Sequence, residues 1–227
     1  MLFTWIGSII TSNPRKMDPL KLNEKCRFCF PPDKERILIE RKNFYVMLSL
    51  GPIVEGHMLI ITKKHILSFQ SLPEHLVTEF LAIKGVVRKI LNEEYSGCIF
   101  FEHNLSSTSI TKRDTPHDYH AHLHCVPTDV DILEDIKEVL TPIRVDNWNS
   151  LRDKARRFSE SIYYENNSED MYIFPVNKHL RKQFLRYLLA KKLGVPERAD
   201  WTIYLGWKDI FTAKKKLTPL FEKEELK

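Results

Sequence analysis

Glycine is scarce in this chain, at 7 of 227 residues, and no repeat or low-complexity tract interrupts it. With 43% hydrophobic residues, that scarcity excludes Gly-rich linkers and argues against disorder. Long hydrophobic runs are also missing. The apolar stretch Met1 to Ile10 has no basic residues before it and is too short to span a bilayer, so it reads as a loosely ordered lead-in and no membrane association is expected. Charge of one sign is missing too: 35 Lys and Arg stand against 30 Asp and Glu, net +5. That balance suits an anionic ligand but lacks the concentrated basic stripe of a nucleic-acid binder. Cysteine is limited to Cys26, Cys29, Cys98 and Cys125, the last two inside apolar strand-like runs. This is a reduced pattern that places the protein in the cytoplasm rather than a disulfide framework.

What is present centres on His120-Ala121-His122-Leu123-His124-Cys125-Val126. On a β-strand, alternate side chains share a face, so His120, His122 and His124 line one side while Ala121, Leu123 and Cys125 enter a core. Three imidazoles so placed can bind a metal, or can meet a phosphate with a nucleophile and proton donors. A Cys-x-x-Cys knuckle at Cys26 and Cys29 supplies two thiolates suited to Zn²⁺, which needs two further ligands.

The remaining pattern is α+β. Ile37 to Glu40, Phe44 to Leu50, Met58 to Thr62 and Cys98 to Glu102 read as strands, with a hairpin turn at Lys42-Asn43. Leu76, Val77, Phe80, Ile83, Val87, Ile90 and Leu91 recur at helical spacing, predicting an amphipathic helix to about Glu94, with Ser71 as its cap. A polar loop over 105–118 leads to the histidine strand. Beyond Pro127 the sequence predicts helices over Val130 to Leu140, Trp148 to Ser161, Lys178 to Leu193 and Trp207 to Leu217, with one strand from Met171 to Val176. The expected organisation is a lead-in over 1–20, a domain over 21–130 and a mainly helical extension over 131–227.

The run His120 to Val126 resembles the His-x-His-x-His signature of the histidine triad (HIT) family. Gly56 to His65 is similar to that family's Gly-His, apolar strand, basic pair and His segment. Cys26 and Cys29 resemble the pair found near the start of bacterial members, and Glu102-His103-Asn104 stands where the family often has Asn. The resemblance implies a five-stranded antiparallel sheet backed by a helix. It also implies a hydrolase or nucleotidyltransferase acting at the α-phosphate of a dinucleoside polyphosphate or phosphoramidate, and a nucleotide as ligand. His122 would be the nucleophile and His124 a donor to a phosphate oxygen, with His57 near His122 to set its tautomer. His120 and His65 would complete a structural zinc site with Cys26 and Cys29. Asn104 and His117 would contact substrate. Gln183-Phe184-Leu185-Arg186 resembles a Gln-x-x-Arg pattern in the extension of larger bacterial members, where Gln183 or Arg186 would hold a phosphate; the other reading is plain packing. Small members are often homodimers, and a homodimer is one expectation here. Because the HIT-like part begins soon after it, Met17 offers a second start.

Two departures bear on function. Pro116 replaces the Gln that many members carry four residues before the first histidine, and His117 replaces the following Ser or Thr. They keep two alternatives open: a metal-dependent hydrolase using the histidine cluster, with Asp114, Asp118 or Glu102 nearby, and a nucleotide-binding module without turnover.

Overall fold

The structure, a computed structural model, describes residues 26–105 and 120–225. The loop that contains His117, and the lead-in before Cys26, lie outside the described residues. Its frame is one antiparallel sheet of eight strands in the order β1-β2-β3-β5-β4-β7-β8-β6. The strands are β1 (Ile37–Glu40), β2 (Phe44–Leu48), β3 (Met58–Thr62), β4 (Ile99–Leu105), β5 (His122–Val126), β6 (Ile143–Val145), β7 (Glu160–Glu165) and β8 (Met171–Pro175). The helices are α1 (Glu74–Glu94), α2 (Leu133–Lys137), α3 (Trp148–Ala155), α4 (Phe184–Lys192) and α5 (Trp207–Glu225). None of the described helices is long and apolar enough to cross a membrane.

Strand alternation divides the core in two. On one face Phe44, Val46, Met58, Ile60, Leu123, Cys125 and Phe100 pack against the predicted apolar stripe of α1, together with α3 and α5. On the other, Phe101, Ile162, Tyr164 and Phe174 pack beneath α2 and α4, while Tyr45, Met47, Leu59 and Ile61 form a smaller cluster under Phe28 and Ile37. Between these two clusters lies β5. Its partners there are Leu59 and Ile61 of β3, opposite His124 and His122, and Phe101 of β4, opposite His124. The second face therefore carries an apolar wall on each side of a strip of histidines.

Three expectations need correction. Ser71 does not cap α1: it closes a 3-10 turn over Phe69–Ser71 and its hydroxyl bonds Ser68, leaving Pro73 at the cap position. The helix predicted over Trp148 to Ser161 ends at Ala155, and the chain then enters β7, which is buried almost throughout. A strand covered on both faces shows no alternation, so the helical reading ran on into it. The sheet has eight strands rather than five, because β6, β7 and β8 of the extension join it. The junction is a six-residue ladder between β4 and β7, from Phe100 opposite Glu165 to Leu105 opposite Glu160.

Candidate functional site: two histidine clusters side by side

His120 precedes β5 rather than belonging to it, and it serves a different cluster from His122 and His124. Its Nε2 lies 2.7 Å from the Thr62 carbonyl oxygen and 2.9 Å from Thr62 Oγ1, whose own proton goes to the Lys64 carbonyl. Both neighbours can only accept, so Nε2 carries the proton and Nδ1 offers its lone pair. That lone pair faces Cys26 Sγ at 3.4 Å and Cys29 Sγ at 3.6 Å, and His65 Nδ1 lies 3.5 Å from Cys29 Sγ. All four donor atoms fall within 4.8 Å of one another. A tetrahedral zinc ion with ordinary bond lengths sets sulfur and nitrogen about 3.6 Å apart, so the four residues fit that ion. The Phe28 backbone N–H donates to Cys26 Sγ at 3.4 Å. Burial pushes His120 down to about 3 and lowers His65 as well, keeping both in the neutral form a metal requires.

The second cluster holds His57, His122 and His124. His122 Nδ1 donates to the His120 carbonyl at 2.7 Å, which leaves a lone pair on His122 Nε2 that no other described residue engages. The Ile53 backbone N–H donates to His57 Nδ1 at 3.2 Å, so His57 Nε2 carries the proton and donates to His124 Nδ1 at 2.9 Å. His124 Nε2 is then the protonated nitrogen. Two backbone groups, the Ile53 N–H and the His120 carbonyl, thus fix opposite tautomers on adjacent rings whose centroids are 5.2 Å apart. Burial pushes His57 and His124 well below the usual imidazole range and lowers His122, so all three stay neutral. Phe28 stacks on His122 and Phe101 on His124, holding each ring flat against its neighbour.

His57 therefore acts on His124, not on His122 as expected, because its Nε2 is bonded to His124 Nδ1. Nor do His120, His122 and His124 form one metal centre: among the described residues the metal-competent group is Cys26, Cys29, His65 and His120. Asn104 is not brought to the histidine face. It lies three residues beyond Phe101 on β4, so alternation turns it towards α1, where it is 3% exposed and its amide nitrogen donates to the Glu102 carbonyl at 3.4 Å. Gln183 and Arg186 are engaged in packing. Arg186 Nη2 donates to the carbonyls of Gly51 and Arg198, its Nε donates to Ala199 O and Gln183 Oε1, and Gln183 Nε2 donates to Asp200.

Sequence reasoning missed Phe28, Phe101, Thr62 and Ile53, and offered Glu102 only as a carboxylate near a metal. Only Phe28 carried a signal, as the aromatic residue inside the knuckle. Glu102 is buried where β4 and β5 part, and its carboxyl accepts from the backbone N–H groups of Phe69 and His122. Burial pushes that carboxyl well above the usual range.

A family model described as "Protein similar to CwfJ C-terminal" matches residues 13–141. The chain is 27% identical over 190 residues to CWF19-like protein 1 of Xenopus laevis, and 24% identical over 216 residues to Zinc finger CCCH domain-containing protein 59 of Oryza sativa subsp. japonica. These alignments cover 78% and 86% of this chain but 34% and 33% of those proteins, so the chain spans about a third of their length. Among solved structures, a Zn-bound histidine triad family protein from Mycobacterium smegmatis is similar at 23% identity and a TM-score of 0.34, covering 45% of this chain and 73% of that one. The solved structures similar to part of this chain are HIT-family proteins, while the family model and the curated relatives carry CwfJ and CWF19-like names. Because the model match spans more than half of the chain, the protein belongs to the family of proteins similar to the CwfJ C-terminal region.

Proposed function

We propose that this chain binds a nucleotide conjugate and cleaves it at the α-phosphate, with His122 as nucleophile. The observation that carries the reading is the pair of opposed tautomers: an Nε2 lone pair on His122 beside an Nε2–H on His124. A phosphoryl centre needs this combination, a nucleophile aimed at phosphorus and a donor for the charge that spreads over its oxygens. The His122 Nε2 lone pair forms the N–P bond, and the bond from phosphorus to the leaving group breaks with its electron pair on the leaving group. His124 Nε2–H donates a hydrogen bond to a phosphoryl oxygen. Water then attacks phosphorus, its proton goes to the departed leaving group, and the N–P bond breaks, returning the pair to Nε2. The His120 carbonyl holds the Nδ1 proton throughout, which stabilises the positive charge on the nucleotidyl-imidazole.

The cluster of Cys26, Cys29, His65 and His120 fits zinc, and zinc there supplies a rigid tetrahedral cross-link. In this reading Cys26 and Cys29 tie the knuckle, and with it Phe28, over His122, and Tyr45 secures Phe28 further by donating to its carbonyl at 2.7 Å. Steady-state cleavage of an adenosine 5′-phosphoramidate and of a diadenosine polyphosphate tests the proposal. His122→Ala is expected to abolish turnover and His124→Ala to lower kcat about 100-fold. Saturable nucleotide binding with no turnover by the wild type would sink the catalytic reading and leave a binding module.

A further inference from the structure

The extension grips one short turn of the chain, and that turn sets the tautomers of the second histidine cluster. The turn runs from Gly51 to Ile53. Ile53 donates its N–H to His57 Nδ1, and His57 in turn holds His124. Every other backbone polar contact found on this turn comes from the extension. The Gly51 N–H donates to the Leu205 carbonyl at 2.9 Å, Arg186 Nη2 donates to the Gly51 carbonyl at 2.5 Å, and Arg198 Nη1 donates to the Ile53 carbonyl at 3.3 Å. Side-chain space is closed as well. Gly51 has φ +63, and a Cβ there would come within 2.6 Å of Trp201 Cα and 2.5 Å of the Tyr204 carbonyl. A Cβ on Gly206 would meet Pro52 at 2.5 Å.

Arg186 sits at the hub of this grip. It is 4% exposed, and among the described residues it has no carboxylate bonded to it. Its donors instead tie three backbone carbonyls from two separate segments to α4, one at Gly51 and two at Arg198 and Ala199. Burying a guanidinium on carbonyls alone is costly, and it lowers Arg186 to about 10. An apolar side chain would pack α4 against the sheet at less cost, so the packing requirement alone does not account for an arginine here.

We propose that Arg186 is a positioning residue: by fixing the Gly51–Ile53 turn it keeps the Ile53 N–H on His57 Nδ1 and so keeps His124 as a donor at Nε2. The inference rests on the catalytic reading above for its consequence, but not for its geometry. If the turn shifts, the Ile53 N–H leaves His57. The His57 proton is then free to move to Nδ1, and His124 loses the bond that fixes its own proton. The extension, through Arg186 and its contact 135 residues back along the chain at Gly51, thereby decides which nitrogen faces the phosphate.

The test is nitrogen NMR of the imidazoles in the full-length, zinc-loaded chain, which reads each tautomer without turnover. Wild type is expected to show His57 and His124 as single Nε2-protonated species. Arg186→Met keeps an unbranched apolar stem but removes all donors, and is expected to give each a second tautomer at a tenth of the population or more. Gly51→Ala displaces the same turn without touching Arg186, and Arg198→Met loosens it from Ile53; both are expected to give the same mixture. Arg186→Lys, which keeps one donor for Gly51, is expected to restore most of the single-tautomer signal. In turnover, Arg186→Met should lose about 10- to 100-fold in kcat with KM within about threefold of wild type. Nδ1-protonated His57 in the wild type overturns the proposal whatever the variants do. Wild-type tautomers in folded Arg186→Met also overturn it, leaving Arg186 a packing residue. Loss of turnover by the wild type with the tautomers as stated would refute the catalytic reading and leave the positioning role standing.

Discussion

At the scale of single residues, each histidine of the site is defined by what sits on its other nitrogen. His120, His122 and His124 look equivalent in the sequence, and alternation correctly put His122 and His124 on one face. His120 follows the same alternation, since Ala121 enters the core with Leu123 and Cys125 and Phe28 packs on both His120 and His122; what sets it apart is that it lies just before β5, where Thr62 holds its ring with Nδ1 towards the knuckle. The His57–His124 bond was not legible at all, since it joins residues 67 apart through a backbone N–H that no pattern announces. Burial makes a pH prediction with a definite sign. His57 and His124 are held below the unfolded value of about 6.5, so they contribute no slope above it. Below it the unfolded chain takes up protons that the folded site refuses, and stability falls with pH. Glu102 runs the other way: its raised carboxyl keeps a proton that the unfolded chain loses above about 4.3, so it costs stability as pH rises. With Glu102→Gln the opposing contribution is gone. Urea unfolding of that variant is expected to weaken steadily from pH 6.5 to 5.5, with a slope approaching about 1.4 kcal/mol per pH unit for each strongly lowered imidazole, His57, His120 and His124, and smaller contributions of the same sign from His65 and His122. A flat profile would contradict neutral, buried imidazoles.

At the scale of elements, two attachments hold the histidine strand in place. The knuckle is one. Removing the metal from zinc-loaded protein should lower the melting temperature and free Phe28 from His122, whereas Cys29→Ser should start at the lower temperature and ignore the chelator. Equal responses of the two proteins would argue against the four-ligand site. The docking of α1 is the other. The helix was readable from its stripe, yet its stripe does not show that Lys84 and Arg88 reach through to Glu165 of β7, where Tyr163 also donates to that carboxylate. Glu165 is 1% exposed, and both cations are nearly so enclosed. Glu165→Ala takes the shared carboxylate from Lys84 and Arg88, leaving Arg88 only Glu169 at 4.0 Å and the Cys98 carbonyl, and should cost about 3 kcal/mol in urea unfolding. A cost under about 1 kcal/mol would mean that water already reaches the cluster.

At the scale of the whole molecule, the extension is part of the sheet, and in our proposal it also positions the site. The strand at Met171 was visible in the sequence because it is bounded by turn residues, but β7 was hidden by its double burial, and with it the ladder to β4. A chain cut after residue 141 would expose six residues of β4 as an open edge, along with Ile99 and Phe101, and is expected to aggregate in sedimentation velocity at concentrations where the full chain does not. A soluble, folded fragment would contradict the single continuous sheet. The central claim is that His122 carries the nucleotidyl group. Adenine nucleotide labelled at the α-phosphate and bearing an activated leaving group, mixed with wild type or His122→Ala with and without chelator, tests it most directly. The account predicts acid-labile, base-stable label on wild type alone, and persistence of that label after chelation. Unlabelled wild type whose turnover stops when the metal is removed would contradict it and point to a metal-activated water in place of the histidine.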